Sequence, residues 1–178
     1  SLRRLFHAHP QVHVHHRNGY EALKALLPPD EKRGLVLIDP PYEAQDAEYP
    51  HIVRALKEAF ARWPTGIYAV WYPVKLHAGL QPFLRDLAKL PAKRTLRVEL
   101  LVLPADTPLK LNGSGLAILN APWDLDAVLR EPLAALADWL QQEQPATTTL
   151  AWLRTETDAT LNARPPARPA SRGARRRP

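Results

Sequence analysis

The spacing of apolar positions along this chain switches repeatedly between a two-residue and a helical period. Apolar runs bounded by glycine or proline, together with the alternating stretch VHVHH, predict short strands. The predicted strands cover residues 12–16, 34–39, 66–72, 94–103, 113–120 and 147–153. Apolar residues spaced by three and four predict helices between them. The predicted helices cover residues 19–27, 47–63, 76–90 and 125–143.

The order of these elements indicates the fold class. Strands and helices alternate over most of the chain, which predicts an α/β fold with a parallel sheet. The strands at 94–103 and 113–120 follow each other with only a loop between them. Such a pair predicts one antiparallel hairpin at the edge of the sheet.

Composition narrows the class of protein further. The chain has 178 residues, of which 46% are apolar, and this suits one globular domain with a tail. It has no cysteine, and therefore neither disulfides nor a cysteine-bound metal. No apolar run approaches the ~18–20 residues of a membrane span, so we expect a cytoplasmic protein without a membrane partner. The chain also lacks methionine and opens at Ser1 within a helical pattern, so we expect it to be part of a longer protein.

Residues 155–178 form a tail rich in arginine and proline. Residues 159–178 hold six arginines and no acid, so the whole formal excess of +6 lies there. This composition predicts a disordered segment. Arginine-rich tails commonly bind nucleic-acid phosphates, and the alternative is an extension without a partner.

The stretch GLVLIDPPYE carries the clearest candidate chemistry. A buried strand runs into Asp39, and Pro40 and Pro41 forbid the strand from continuing. Ligands of open α/β sheets bind at the carboxyl ends of the strands, so Asp39 to Tyr42 are expected to form a rigid lip on a ligand crevice. The Asp39 carboxylate and the Pro40 carbonyl suit the two N–H groups of an exocyclic base amine. The Tyr42 ring suits stacking on a base that has been flipped out of its helix.

Here the residues resemble a known family. The segments RGLVLIDPPYE, TGIYAVWYPV, VELLVLP, GSGLAILNAPW and LAWL are together similar to bacterial 23S ribosomal RNA adenine-N6 methyltransferases, some of them earlier described as proteins for the use of external DNA. The match runs from about Leu2 to Trp152. It implies a class I S-adenosylmethionine-dependent methyltransferase (Rossmann-like) fold with strand order 3-2-1-4-5-7-6. It also implies S-adenosylmethionine as cofactor, 23S ribosomal RNA as partner and a monomeric intact enzyme.

The resemblance also implies roles for single residues. Asp39 is expected to be the catalytic base or amine-orienting acceptor and to border the cofactor, and Pro40, Pro41 and Tyr42 are expected to contact the target base. The Asn18-Gly19 pair is expected to contact the adenine of the cofactor. Asn18 stands where the family has aspartate, which removes the charge but leaves an oxygen acceptor.

Two aromatic residues on the next strand have two interpretations. Trp71 and Tyr72 stand at the carboxyl end of the strand that follows the DPPY strand, so they either line the base pocket or belong to the core. The other tryptophans are expected to be packing residues.

The family's glycine-bearing first strand and its ribose-binding acid would precede Ser1. Residues 1–154 are therefore expected to be the carboxyl-terminal part of a methyltransferase domain whose amino-terminal strands are missing. Two strands would normally stand between those at 12–16 and 34–39. We therefore expect the segment before about Asp30 to pack poorly.

Several alternatives remain open from the sequence. The chain could be a noncatalytic or degenerate nucleic-acid-binding fragment, or a DNA adenine or guanine-N2 methyltransferase, because DPPY serves those enzymes too. Asp39 could be a plain turn residue. The five histidines between His7 and His16 could suggest a metal, but no acid accompanies them and their alternation fits a solvated strand face, so we expect no metal site. The NGSG stretch at 112–115 reads as a turn into a strand.

Overall fold

The structure is a computed structural model, and it describes residues 1–42, 45–76, 79–108, 110–142 and 144–158. The helices are α1 (Leu2–Phe6), α2 (Gly19–Leu26), α3 (Gln45–Arg62), α4 (Leu80–Ala88) and α5 (Leu125–Leu140). The strands are β1 (Leu35–Ile38), β2 (Ile67–Val74), β3 (Thr95–Leu101), β4 (Gly113–Leu119) and β5 (Thr147–Arg154).

The five strands form one sheet in the order β1-β2-β4-β3-β5. β1 and β2 are parallel, with Val36 opposite Tyr68, whereas every other neighbouring pair is antiparallel. In spatial order, β1, β2, β4 and β3 correspond to strands 4, 5, 7 and 6 of the expected methyltransferase order. The predicted hairpin is present as β3 and β4, but it does not lie at the edge of the sheet, because β5 pairs with β3 on its outer side. The predicted fold class is confirmed, and the pairing of β5 is an addition to it.

Alternation along the strands gives the sheet two apolar faces, each with its own cover. One face carries Val70 and Leu119 and packs against α3 and α4, in a cluster that includes Leu56 and Leu87. The other face carries Leu96 and packs against α5 through a smaller cluster. Side chains in a strand point alternately to the two faces, so the period-2 pattern of β2 to β4 fills both clusters at once.

Trp63, at the end of α3, fixes the approach of the chain to β1 and β2. A β-carbon built on Gly66 would lie 2.3 Å from Trp63 Cε3, and one built on Gly34 would lie 2.9 Å from Trp63 Cη2. Both glycines therefore leave room for the indole ring. The amino ends of the two parallel strands are aligned, with Leu35 opposite Ile67.

The prediction of a strand at residues 12–16 was wrong, since no residue of this segment is in the sheet. A strand needs a partner for its backbone groups, and β1 pairs only with β2 among the described residues. α1 and α2 contain no buried residue, but Leu27, directly after α2, belongs to the core, and Tyr20 and Leu23 pack against it. The remaining predicted elements are present with shifted ends, most visibly α4, which begins four residues later than predicted. Residues 159–178 of the tail lie outside the described residues.

None of the helices in the described part of the chain is both long and apolar enough to span a membrane.

Candidate active site

The turn after β1 presents Asp39 at the carboxyl end of β1, beside β2, which continues to Val74. β1 stops at Ile38 because the prolines that follow cannot donate ladder hydrogen bonds. The Asp39 side chain is exposed, and it has no hydrogen bond or ion pair among the described residues. Its carboxylate therefore carries no burial cost in this structure, and both oxygens are free to accept from a ligand.

Asp39 borders a cavity of about 550 Å³ between the sheet edge, α2 and α3. This volume lies within the ~300–1,000 Å³ range of small-molecule sites. The cavity brings together most of the residues expected from the sequence. Its walls are Asn18, Gly19, Tyr20, Leu23, Val36, Leu37, Ile38, Asp39, Pro40, Pro41 and Glu48. Tyr42, Trp71 and Tyr72 are not among them.

Asn18 and Gly19 form one wall of the cavity, at the start of α2. Asn18 is the N-cap of that helix, and its Oδ1 accepts from the backbone N–H groups of Tyr20 at 2.9 Å and Glu21 at 3.3 Å. This use of the side chain is the usual one for asparagine at an N-cap. The oxygen expected to accept from a ligand amine is thus already occupied, which leaves the Asn18 Nδ2 group for a ligand. A β-carbon on Gly19 would meet nothing within 4 Å, so the space above it is open.

Tyr42 lies beneath the turn rather than in the cavity. Its side chain is 6% exposed, its φ is 54°, and its hydroxyl donates to the Trp71 carbonyl oxygen at 2.5 Å. The ring makes edge contacts with Tyr49 and Trp71 at centroid distances of 6.0 and 5.6 Å. Burial, followed by the neighbouring Tyr49, raises the pKa of the Tyr42 phenol. In this conformation the ring anchors the turn and offers no free face to a base.

The two aromatic residues on β2 belong mainly to the core. Tyr72 is fully buried, and its hydroxyl donates to Glu99 Oε1 at 2.8 Å. Arg97 donates to the other oxygen of the same buried carboxylate at 2.5 Å. Trp71 is half-buried and supports Tyr42 through its backbone oxygen and its ring. In this conformation Tyr72 presents neither its hydroxyl nor its ring to the cavity, because both are enclosed.

The sequence interpretation missed Glu48 and Tyr20. Glu48 lines the cavity from the beginning of α3, and the Tyr20 hydroxyl donates to its Oε1. Burial, followed by the hydrogen bond to Glu48, raises the pKa of Tyr20. An acid in the first turn of a helix that directly follows the DPPY turn was the available signal, since carboxylates favour that position.

The charges around the cavity have one sign. Asp39 and Glu48 both line it, whereas no lysine or arginine does so among the described residues. Two carboxylates without a basic neighbour favour a ligand that carries positive charge or N–H donors. Within the described ranges, no group of three or more histidine, aspartate or glutamate side chains is placed to hold a metal ion.

Comparison with known proteins shows similarity to ribosomal RNA methyltransferases. The family described as "Ribosomal RNA large subunit methyltransferase D, RlmJ" matches residues 1–154. Two curated relatives are named Ribosomal RNA large subunit methyltransferase J. The one from Haemophilus influenzae is 38% identical over 155 residues, which cover 87% of this chain and 55% of the relative. The one from Escherichia coli is 36% identical over 152 residues, which cover 85% of this chain and 54% of the relative.

A solved structure is similar as well. The crystal structure of a Legionella pneumophila protein superposes with a TM-score of 0.67 at 35% identity, covering 76% of this chain and 49% of that one. The chain thus spans about half the length of the relatives that it matches. With residues 1–154 matched and the sheet order in agreement, the chain belongs to the RlmJ family of ribosomal RNA large subunit methyltransferases.

Proposed function

We propose that this chain supplies the amine-binding side of an S-adenosylmethionine-dependent methyltransferase that modifies N6 of an adenine in 23S ribosomal RNA. The observation that carries the proposal is Asp39, exposed and unpaired among the described residues, beside Pro40 in one cavity. The names of the two relatives, which specify the large ribosomal subunit, support RNA as the substrate.

The chemistry of the amine explains why an acceptor pair is needed. The lone pair of an adenine amine is delocalised into the ring, so the nitrogen is a poor nucleophile. When the Asp39 carboxylate and the Pro40 carbonyl accept its two N–H groups, they favour a pyramidal nitrogen whose lone pair points away from the turn. Methyl transfer, in which the methyl group would leave the sulfonium for the nitrogen, would give that nitrogen one proton too many, and the Asp39 carboxylate would accept it.

The cavity fits part of the cofactor. S-adenosylmethionine, when bound, supplies a methyl group from a positively charged sulfonium. Asp39 and Glu48 offer negative charge to a cationic ligand, and the open space above Gly19 lets a flat ring approach the backbone. Asn18 would hold such a ring through Nδ2. Pro41 closes the lip of the cavity beside Pro40.

A chimera that has the full length of the relatives tests the proposal. Residues 1–154 of this chain replace the matching half of the Escherichia coli relative, and transfer of a labelled methyl group to unmodified 23S ribosomal RNA is measured. We expect Asp39→Asn to lower kcat by about a hundredfold or more, the scale of losing one well-placed polar group in a reacting site. Asp138→Asn, an exposed acid on α5, is the matched control and should leave the rate unchanged.

Near-normal turnover of the Asp39→Asn chimera would show that the carboxylate has no part in the reaction. The modified nucleoside, identified by mass spectrometry, separates the open alternatives. N2-methylguanosine or methylation of DNA would contradict the adenine-N6 assignment. A chimera that folds, binds RNA and transfers nothing would favour the noncatalytic interpretation.

A further inference from the structure

The groove between α3 and α4 lies on the far side of the amino end of α3 from the candidate active site. It encloses about 520 Å³ and is lined by Tyr49, Pro50, Val53, Arg54, Lys57, Gly79, Pro82, Phe83 and Asp86. Glu48 lines the active-site cavity, whereas its neighbours Tyr49 and Pro50 line this groove. The Tyr49 ring also contacts Tyr42 of the DPPY turn at a centroid distance of 6.0 Å. The two hollows are therefore separated by little more than one side chain.

The groove has free positive charge. Arg54 and Lys57 are exposed on α3, one turn apart, and neither has an ion pair among the described residues. The acid that lines the groove, Asp86, has its carboxylate held by Lys89 at 2.8 Å. The groove thus presents two unpaired cations above walls of apolar side chains.

The neighbouring hollow between α2 and α3 differs in charge. This second hollow encloses about 470 Å³, and Arg54 lines it as well. Its lining includes Lys24 but also Glu21 and Glu58, and Lys24 is paired with Glu58 at 2.8 Å. Basic and acidic groups are balanced there, so a polyanion gains little from entering it.

The helices on the two faces of the sheet also differ in charge. After the acids Asp46 and Glu48 of its first turn, α3 together with α4 and its C-cap residue carries five basic residues against two acids. α5, on the opposite face of the sheet, carries one arginine against three acids. A polyanion is therefore attracted to the α3–α4 face and repelled from the α5 face.

We infer that the α3–α4 groove binds the phosphate backbone of the substrate RNA beside the target nucleotide, with Arg54 and Lys57 each contacting a phosphate. This inference rests on the proposed RNA substrate. A base seated at Asp39 places its own strand at the amino end of α3, and the strand continues along that helix into the groove. Phosphate contacts of this kind position a nucleic acid without reading its sequence.

The test measures binding of the full chain to a fluorescent single-stranded RNA as a function of salt. Neutralising one phosphate contributes about 0.7 to the slope of log affinity against log salt for a single strand. The double variant Arg54→Gln, Lys57→Gln should therefore lower the slope by about 1.4 and weaken binding at low salt. The matched control is Lys32→Gln, Arg33→Gln, which removes one lysine and one arginine, both exposed, before the amino end of β1. The control should leave the slope close to that of the wild type. Circular dichroism melting of each variant shows that the fold is retained.

A second measurement locates the RNA directly. Because the chain has no cysteine, Lys57→Cys and Lys32→Cys each create a unique attachment point for a photoactivated crosslinker. We expect crosslinks to the RNA from position 57 and few from position 32.

An unchanged slope in the groove variant, or equal crosslinking from both positions, would overturn the inference while leaving the chimera result intact. Absence of any salt-dependent RNA binding by the wild-type chain would overturn it as well. If poly-glutamate binds as tightly as RNA and loses as much affinity in the groove variant, the surface recognises acidic protein instead. Loss of methyl transfer in the Asp39→Asn chimera tests the proposed function separately, because Asp39 lies outside the groove.

Discussion

Gly115 is a residue at which one added methyl group disturbs the core. A β-carbon there would lie 2.2 Å from Tyr72 Cε2, so the tyrosine ring occupies the space that a side chain would need. Tyr72 cannot move aside easily, because its hydroxyl is bonded to the buried Glu99 carboxylate. Gly115 lies within β4, whose first residues the sequence indicates as a turn into a strand, and its missing side chain therefore serves packing.

We expect Gly115→Ala to lower the free energy of unfolding by about 1–3 kcal/mol, the usual cost of overpacking a core. Ser114→Ala, at the exposed neighbouring position, is the control and should stay within about 0.5 kcal/mol of the wild type. Urea unfolding of the three proteins measures both. Equal stability of Gly115→Ala and the wild type would mean that the Tyr72 ring moves freely.

Among the elements, β1 is the most exposed part of the sheet. It is an edge strand, and its second edge has no partner among the described residues. Leu35 and Leu37 on one face of it are 64% and 62% exposed. An exposed apolar edge strand favours pairing with another chain.

Because of this edge, we expect the chain to self-associate, and Leu35→Lys to shift it toward monomer. A lysine on an edge strand opposes edge-to-edge pairing through its charge. Sedimentation velocity over a range of concentrations measures the effect, with Leu111→Lys, another exposed leucine outside the sheet, as control. A wild-type chain that stays monomeric at all concentrations would contradict this expectation.

At the scale of the whole molecule, buried tyrosine phenols make the free energy of unfolding depend on pH in the alkaline range. Burial is the largest cause of the raised pKa of each of four tyrosines, which are Tyr20, Tyr42, Tyr68 and Tyr72. For Tyr68 the pKa rises to about 12. In the unfolded chain each phenol returns to a pKa of about 10. Above that pH the unfolded state loses protons that the folded state retains, so stability falls as pH rises.

We therefore expect stability to be constant up to about pH 10 with respect to these groups, and then to decline toward the folded pKa values. Tyr72→Phe should make this decline shallower by at most about 1.4 kcal/mol per pH unit, since one fully buried phenol no longer titrates. Its baseline at pH 8 should also be lower, because Glu99 loses a donor. Urea unfolding between pH 8 and 11 gives both quantities. Identical slopes for the variant and the wild type would contradict the burial of this hydroxyl.

The sequence by itself determined the elements and the position of Asp39. Apolar runs ending at glycine and proline located β1 to β5, because local periodicity encodes which face of an element is apolar. The two prolines after Asp39 stop β1 whatever surrounds it, so the lip of the cavity was predictable. The absence of a strand at residues 12–16 was not predictable, since a strand depends on a partner strand as well as on its own pattern.

Only the tertiary structure decided which side chains meet. Tyr20 and Glu48 lie 28 residues apart, and their hydrogen bond exists because α2 packs on α3. The same holds for Tyr42, whose ring lies under Trp71 instead of facing a ligand, and for Tyr72, whose hydroxyl reaches Glu99 across the sheet. Long-range contacts of this kind depend on how the layers are stacked, and a local pattern of apolar and polar residues carries no information about that stacking.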